Sequence, residues 1–189
     1  MNEENQYIFD QIKISVWSGF DNKDDIQETI TDLAEDEGGD EDLLNKLANE
    51  EFQKKLNEEK TWPKITDLDL LKNAFAALYN QGVLCLHDAG YTMSDGHYDA
   101  SEALDEYPKN KFIGYCFYHR QGLETAMIGG GLYLAFDHVN GDVPEKLSVA
   151  LLIKKELETA GFTLDWDGTA NKKIGIPTFD WKHRANNNI

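Results

Sequence analysis

The chain has 189 residues and a formal net charge of −17, from 35 acidic and 18 basic side chains. This length is enough to bury most of the surface that the unfolded chain exposes, and 41% hydrophobic residues are typical of a globular protein. The negative charge excludes nucleic acid as the expected direct ligand, because a phosphate backbone is repelled by such a surface.

The sequence indicates a protein without membrane association. No stretch approaches the roughly 18 consecutive apolar residues of a spanning helix, and the first residues, MNEENQ, are acidic where a signal peptide is basic and then apolar. We therefore expect a cytoplasmic protein. Cys85 and Cys116 both lie in apolar runs, which predicts buried thiols rather than a disulfide framework or a four-cysteine zinc site.

The negative charge is concentrated in the N-terminal third. Residues 21–60 contain 15 acidic and 5 basic side chains, a net charge of −10. Asp21 is placed to cap a helix that ends near Gly38 and Gly39, and a second acidic helix is predicted over residues 42–60. We predict an acidic helical N-terminal region over residues 1–62.

The remaining residues, 63–189, alternate helical and strand patterns. The Thr66-x-x-Asp69 start opens a helix that stops at Gly82. Short apolar runs predict the strands Val83–His87, Lys111–His119, Gly131–Phe136, Phe162–Trp166 and Lys172–Ile176, the last two as a hairpin. The order predicts an α/β (α+β) domain with a mixed sheet of about five strands packed with helices, in one compact unit.

The stretch CLHDAGYTMSDGHYD, residues 85–99, concentrates side chains that can act in a site. His87 ends a predicted strand, and ligand sites gather at the carboxyl ends of parallel strands. If Lys111–His119 pairs in parallel with that strand, His119 lies beside His87. The candidate ligand or partner site comprises His87, Asp88, Tyr91, Asp95, His97, Asp99, His119 and Arg120.

Two interpretations of this stretch stay open. His87, His97 and Asp95 carry donor groups that suit a divalent metal such as zinc, manganese or iron, although their spacing matches no established metal motif. Alternatively, Ser94, Asp95 and Gly96 start and cap a helix, and His87 satisfies a backbone group at the strand end. The first interpretation predicts a cofactor, and the second predicts none.

Several motifs in one order carry a resemblance to a known family. They are CLHDAGYT, SDG, GYCFYH, GGGLYLAF and GFTLDWDGT. Over about residues 66–184 the chain resembles a bacterial family known only as a domain of unknown function. In its relatives the position of Asp88 is often cysteine, so this sequence departs from the family there. The resemblance implies no reaction, cofactor or catalytic residue.

Two functions from different classes follow from these patterns. The acidic N-terminal region favours a non-enzymatic binding protein, of an immunity or regulatory type, for a basic protein partner. The alternative is a small metal-dependent or small-molecule hydrolase that uses residues 85–99. The first is preferred, because the sequence contains no recognised catalytic motif. Whether the protein is an enzyme, and its oligomeric state, are not determined by the sequence.

Overall fold

The computed structural model describes residues 1–184, which form two compact units. A helical unit comprises residues 1–64 and 182–184, and an α/β unit comprises residues 65–181. Seven helices and a four-stranded mixed sheet lie within the described residues, which confirms the α+β prediction. None of the helices in residues 1–184 is long and apolar enough to cross a membrane.

The helical unit consists of α1 (Glu3–Ser18), α2 (Lys23–Glu37) and α3 (Glu41–Glu59). In α1 the apolar residues Ile8, Ile12 and Val16 recur every four positions, so they lie on one face and are fully buried. They pack in one cluster with apolar residues of α2 and α3. Burial of the apolar residues of all three helices in this one cluster stabilises the unit.

The ends of α2 follow local sequence rules. Asn22, not the predicted Asp21, is the N-cap, because its side chain accepts the N–H groups of Asp24 and Asp25. At the other end Gly38 adopts a left-handed conformation with φ of 76°, and its N–H donates to the Ala34 carbonyl. The predicted stop at the paired glycines is confirmed.

The α/β unit begins with α4 and then alternates strands and helices. Its elements are α4 (Asp67–Asn80), β1 (Val83–Leu86), α5 (Met93–Asp105), β2 (Gly114–Phe117), α6 (Arg120–Met127), β3 (Leu132–His138), α7 (Val143–Thr159) and β4 (Ile174–Ile176). The strand order is β1-β2-β3-β4, with β1 and β2 parallel and the other pairs antiparallel. The parallel pairing of the first two strands, on which the proximity of His119 to His87 was conditional, is present.

Helices cover the sheet on both faces. Gly114 of β2 lies so close to Val149 of α7 that a Cβ atom would not fit there. Phe117 lies three residues further along β2, on the opposite face, where it contacts Gly96 of α5. Successive side chains of β2 therefore face α7 and α5 in turn, and this alternation decides which polar residues can meet.

The predicted strand Phe162–Trp166 is not formed. Only Asp165 pairs with the sheet, through a single antiparallel bridge to Gly175. Beyond it the chain turns, with Asp167 accepting from the Thr169 N–H and Gly168 at φ of 80°. The sheet has four strands rather than five because this local turn ends the pairing after one residue.

Substitution of Gly96 tests the packing of α5 on the sheet. An added Cβ would overlap the Phe117 ring and lie 2.8 Å from the Ala89 carbonyl oxygen. Gly96→Ala is therefore expected to lower the free energy of unfolding by about 1–3 kcal/mol in urea denaturation, even though alanine favours helix by about 1 kcal/mol.

The matched control is Gly122→Ala, at another helical glycine. Its nearest neighbouring atom would be 3.8 Å from the added Cβ, an ordinary contact. This variant should be as stable as the original or more stable, by up to about 1 kcal/mol. Equal effects of the two substitutions would contradict close packing at Gly96.

Candidate functional site

The carboxyl ends of β1 and β2 lie at the same edge of the sheet. Leu86 pairs with Phe117, and the two segments continue side by side beyond the strands. The Ala89 N–H donates to the Tyr118 carbonyl at 3.0 Å, and the Arg120 N–H donates to the Gly90 carbonyl at 2.9 Å. This edge brings together the segments that carry His87, Asp88, His119 and Arg120.

His87 is integrated into the core of the α/β unit. Its Nδ1 lies 2.9 Å from the Tyr118 hydroxyl, and its ring packs at 4.7 Å from that of Phe75 on α4. Burial, together with the nearby charge of Lys72, lowers the pKa of His87 to about 4, so the ring is neutral at pH 7. The residue that His87 contacts just after β2 is therefore Tyr118 rather than His119.

Asp88 and Arg120 form an ion pair across the edge. The Oδ2 atom of Asp88 lies 2.6 Å from an Arg120 guanidinium nitrogen, and the aspartate side chain is 8% exposed. Asp88 also adopts a left-handed backbone conformation, with φ of 51°. Its contact with Arg120 fastens the loop after β1 to the start of α6.

Asp95 and His119 both take part in capping helices, Asp95 as the partner of an N-cap and His119 as an N-cap itself. Thr92 is the N-cap of α5, and the Asp95 carboxylate accepts both the Thr92 N–H and its hydroxyl at 2.9 Å, which is a capping box. A helix does start close to the predicted residues 94–96, but its first residue is Met93 and its N-cap is Thr92. His119 caps α6 by accepting the Gly122 N–H on Nδ1 at 3.2 Å.

Two further candidates have less defined roles. The Tyr91 side chain is 54% exposed, and its backbone carbonyl accepts the Gln121 N–H at 3.3 Å. Asp99 lies half-buried on α5, six residues beyond the first residue of that helix. The structure gives neither side chain a contact with His87.

The residues proposed as metal ligands do not converge. His97 hydrogen-bonds Tyr115 at 2.9 Å on the face that α5 covers, whereas His87 bonds Tyr118, three positions further on and on the other face. Asp95 is engaged in its capping box. Across residues 1–184 no three histidine, cysteine, aspartate or glutamate side chains are grouped to hold a metal ion.

Both cysteines are free thiols. Cys85 and Cys116 are register partners on β1 and β2, with their sulfur atoms 3.3 Å apart. Cys116 is buried as predicted, and Cys85 is partly exposed. Burial and the neighbouring Cys116 raise the pKa of the Cys85 thiol, so it is protonated at pH 7.

Sequence reasoning missed a cleft beside His97. It has a volume of about 290 Å³ and is called here the lysine cleft. Its lining includes Met93, His97, Phe136, Asp137, Lys146, Asn171, Lys172 and Lys173. Only His97 belonged to the predicted site. The lysines come from α7 and from the segment before β4, and no local pattern links these elements.

The helical unit presents ten exposed carboxylates between residues 24 and 42, called here the acidic surface. It comprises Asp24, Asp25, Glu28, Asp32, Glu35, Asp36, Glu37, Asp40, Glu41 and Asp42, all exposed. None of these ten carboxylates forms an ion pair within residues 1–184. The only lysine among residues 21–45 is Lys23, which lies over the Phe52 ring.

Comparison with known proteins identifies a family. The model of a domain of unknown function, DUF6891, matches residues 1–185, so the chain belongs to that family. The match includes the acidic helices as well as the α/β unit, and therefore extends beyond the resemblance seen over residues 66–184. No curated protein and no solved structure matches the chain.

Proposed function

We propose that this member of the DUF6891 family is a non-enzymatic binding protein whose acidic surface receives a basic protein partner. The observation that supports the proposal is the absence of ion pairs at all ten carboxylates within the described residues. Unneutralised, exposed carboxylates attract a basic surface and accelerate encounter with it. An immunity-type or regulatory role would use such a surface without a catalytic centre.

The charge arrangement on α2 is unfavourable for the free helix. Glu35, Asp36 and Glu37 occupy its last turn, where the helix dipole favours basic residues, and no basic residue is present there. Glu28, Asp32 and Asp36 are spaced four residues apart, which places like charges next to one another. A basic partner would relieve this repulsion. Removing carboxylates should therefore weaken binding of the partner and stabilise the free helix.

The test neutralises three carboxylates of the acidic surface, with Asp32→Asn, Glu35→Gln and Asp36→Asn in one chain. The partner is captured from an extract of the source organism with the wild-type chain, identified, purified and titrated by calorimetry. We expect it to be basic and to bind at least about tenfold more weakly to the neutralised chain, because favourable charge contacts are lost. The free neutralised chain should meanwhile be more stable than wild type in urea.

The matched control removes three exposed carboxylates of the α/β unit, with Asp105→Asn, Glu106→Gln and Asp142→Asn. This control changes the net charge by the same amount as the test variant, and it should leave the affinity for the partner nearly unchanged. Binding should also weaken as salt rises from about 50 to about 500 mM, since exposed charges are screened. A partner that is not basic, or equal affinity for both variants, would contradict the proposal.

The hydrolase alternative receives no comparable support. It requires residues 85–99 to converge on one centre, but His87 bonds Tyr118, Asp88 pairs with Arg120, and His97 bonds Tyr115 on the other face. Each group is committed to a structural contact in the α/β unit. No observation therefore favours a hydrolytic role for that stretch.

A further inference from the structure

The charged residues that line the lysine cleft are mainly basic, although the chain as a whole is acidic. Its lining carries three lysines and one aspartate, whereas the whole chain has 18 basic and 35 acidic side chains. Asp137 is paired with Lys146, whose Nζ lies 2.8 Å from Oδ2. This pair is locally neutral, so Lys173, together with Lys172 in its loose 4.0 Å ion pair with Asp167, remains for a ligand.

Lys173 is the central feature of the cleft. It is half-buried, and within the described part of the chain its ammonium group forms neither a hydrogen bond nor an ion pair. Burial also lowers the pKa of Lys173. Lys172 is more exposed, and its nearest carboxylate, that of Asp167, lies 4.0 Å away. An anion in the cleft would supply the partner that Lys173 lacks.

The lining of the cleft also offers apolar surface and one further polar side chain. Met93 and Phe136 line the cleft, and Trp166 packs edge-on against the Phe136 ring. Burial lowers the pKa of His97, so its imidazole is neutral at pH 7. In the tautomer in which the Tyr115 hydroxyl donates to Nδ1, the ring carries its proton on Nε2, which can then donate to a ligand.

We propose that the lysine cleft binds a small organic dianion, specifically a phosphate monoester. At pH 7 such a group carries nearly two negative charges, so it can pair with Lys173 and also compete with Asp167, at 4.0 Å, for Lys172. Its oxygens would accept from Lys172 and Lys173, and its organic portion would lie against Met93 and Phe136. This site lies wholly within the α/β unit and is independent of the acidic surface.

The probe for this site is phenyl phosphate, titrated into the full-length chain by calorimetry. We expect saturable binding at one site that weakens by about tenfold or more in Lys173→Gln, because a hydrogen bond between two charged groups is lost. Lys173→Gln should fold normally, since its ammonium group supports no other residue. Circular dichroism and the urea midpoint test whether Lys173→Gln folds normally. Lys172→Gln provides a second substitution, at a more exposed lysine of the cleft, and should also weaken binding of phenyl phosphate.

Controls separate this site from general attraction of anions. Lys109→Gln removes an exposed lysine of the α/β unit that does not line the cleft, and it should bind phenyl phosphate like wild type. Inorganic phosphate should bind more weakly than phenyl phosphate because it lacks the apolar portion, and benzoate should bind more weakly because it is a monoanion. Undetectable binding, an equal loss in Lys109→Gln, or benzoate binding as tightly as phenyl phosphate would each overturn the proposal.

Discussion

Raising the pH from about 8 to about 10.5 is expected to increase the free energy of unfolding by up to about 3 kcal/mol through Lys55 alone. The Lys55 side chain is 1% exposed, and its Nζ donates to the Val16 carbonyl at 2.9 Å. The nearest carboxylate oxygen, on Glu59, is 4.0 Å away. Burial lowers the pKa of Lys55 from 10.5 to about 8.

The sign follows from proton binding in the two states. Between the two pKa values of Lys55 the unfolded chain still holds a proton that the native chain has released. Stability therefore rises with pH across this window, and the penalty for burying the charge is fully present below about pH 8.

The measurement is urea denaturation at a series of pH values, for wild type and for Lys55→Met. Methionine fills similar space without titrating, so the variant should lack the rise. Lys46→Met replaces an exposed lysine on the same helix and should retain it. Because tyrosine titration affects all three chains alike, the difference between them isolates Lys55. Parallel curves for wild type and Lys55→Met would show that the buried lysine is not the cause.

Lowering the pH from about 6.5 to about 4 is expected to destabilise the α/β unit by up to about 3 kcal/mol through His87. The ring is neutral in the native state because burial lowers its pKa to about 4. In the unfolded chain the imidazole takes up a proton near pH 6.5. The unfolded state is thus favoured progressively as the pH falls through this window, and no further loss occurs below it.

His87→Gln tests this origin of acid sensitivity. Glutamine can still hydrogen-bond the buried Tyr118 hydroxyl but does not titrate, so its stability curve should be flatter than that of wild type between pH 6.5 and pH 4. Carboxylates also titrate in this range, and comparison of the chains removes their contribution. His138→Gln, at a histidine at the end of β3, should keep the wild-type slope. An unchanged slope in His87→Gln would refute burial of a neutral imidazole.

Local sequence was sufficient wherever neighbouring residues alone define the structure. The Thr66 and Asp69 capping box formed as its spacing predicts, because both partners lie within one turn. The stop of α2 at Gly38 likewise needs only a residue that tolerates positive φ. The strand predicted over Phe162–Trp166 does not form, because a strand cannot be defined by neighbouring residues alone. A strand depends on a partner distant in sequence, and only Asp165 found one.

The roles of the candidate site residues were decided by strand register. Tyr118 lies 31 positions after its partner His87, and Arg120 lies 32 positions after Asp88. Nothing within residues 85–99 indicates which side chains of β2 will lie opposite. The contacts of these side chains became defined only once β1 and β2 were paired.

The sequence by itself determined the class of fold, the acidic character and its concentration in the first helices, because composition and periodicity are properties of the chain alone. Only the tertiary structure decided that His87 and His97 face opposite sides of the sheet and that three lysines meet around one cleft. Lys146 on α7 lies 26 positions before Lys172, in the segment that precedes β4. Their charges are brought together by antiparallel pairing of β3 and β4 and by the packing of α7 on the sheet.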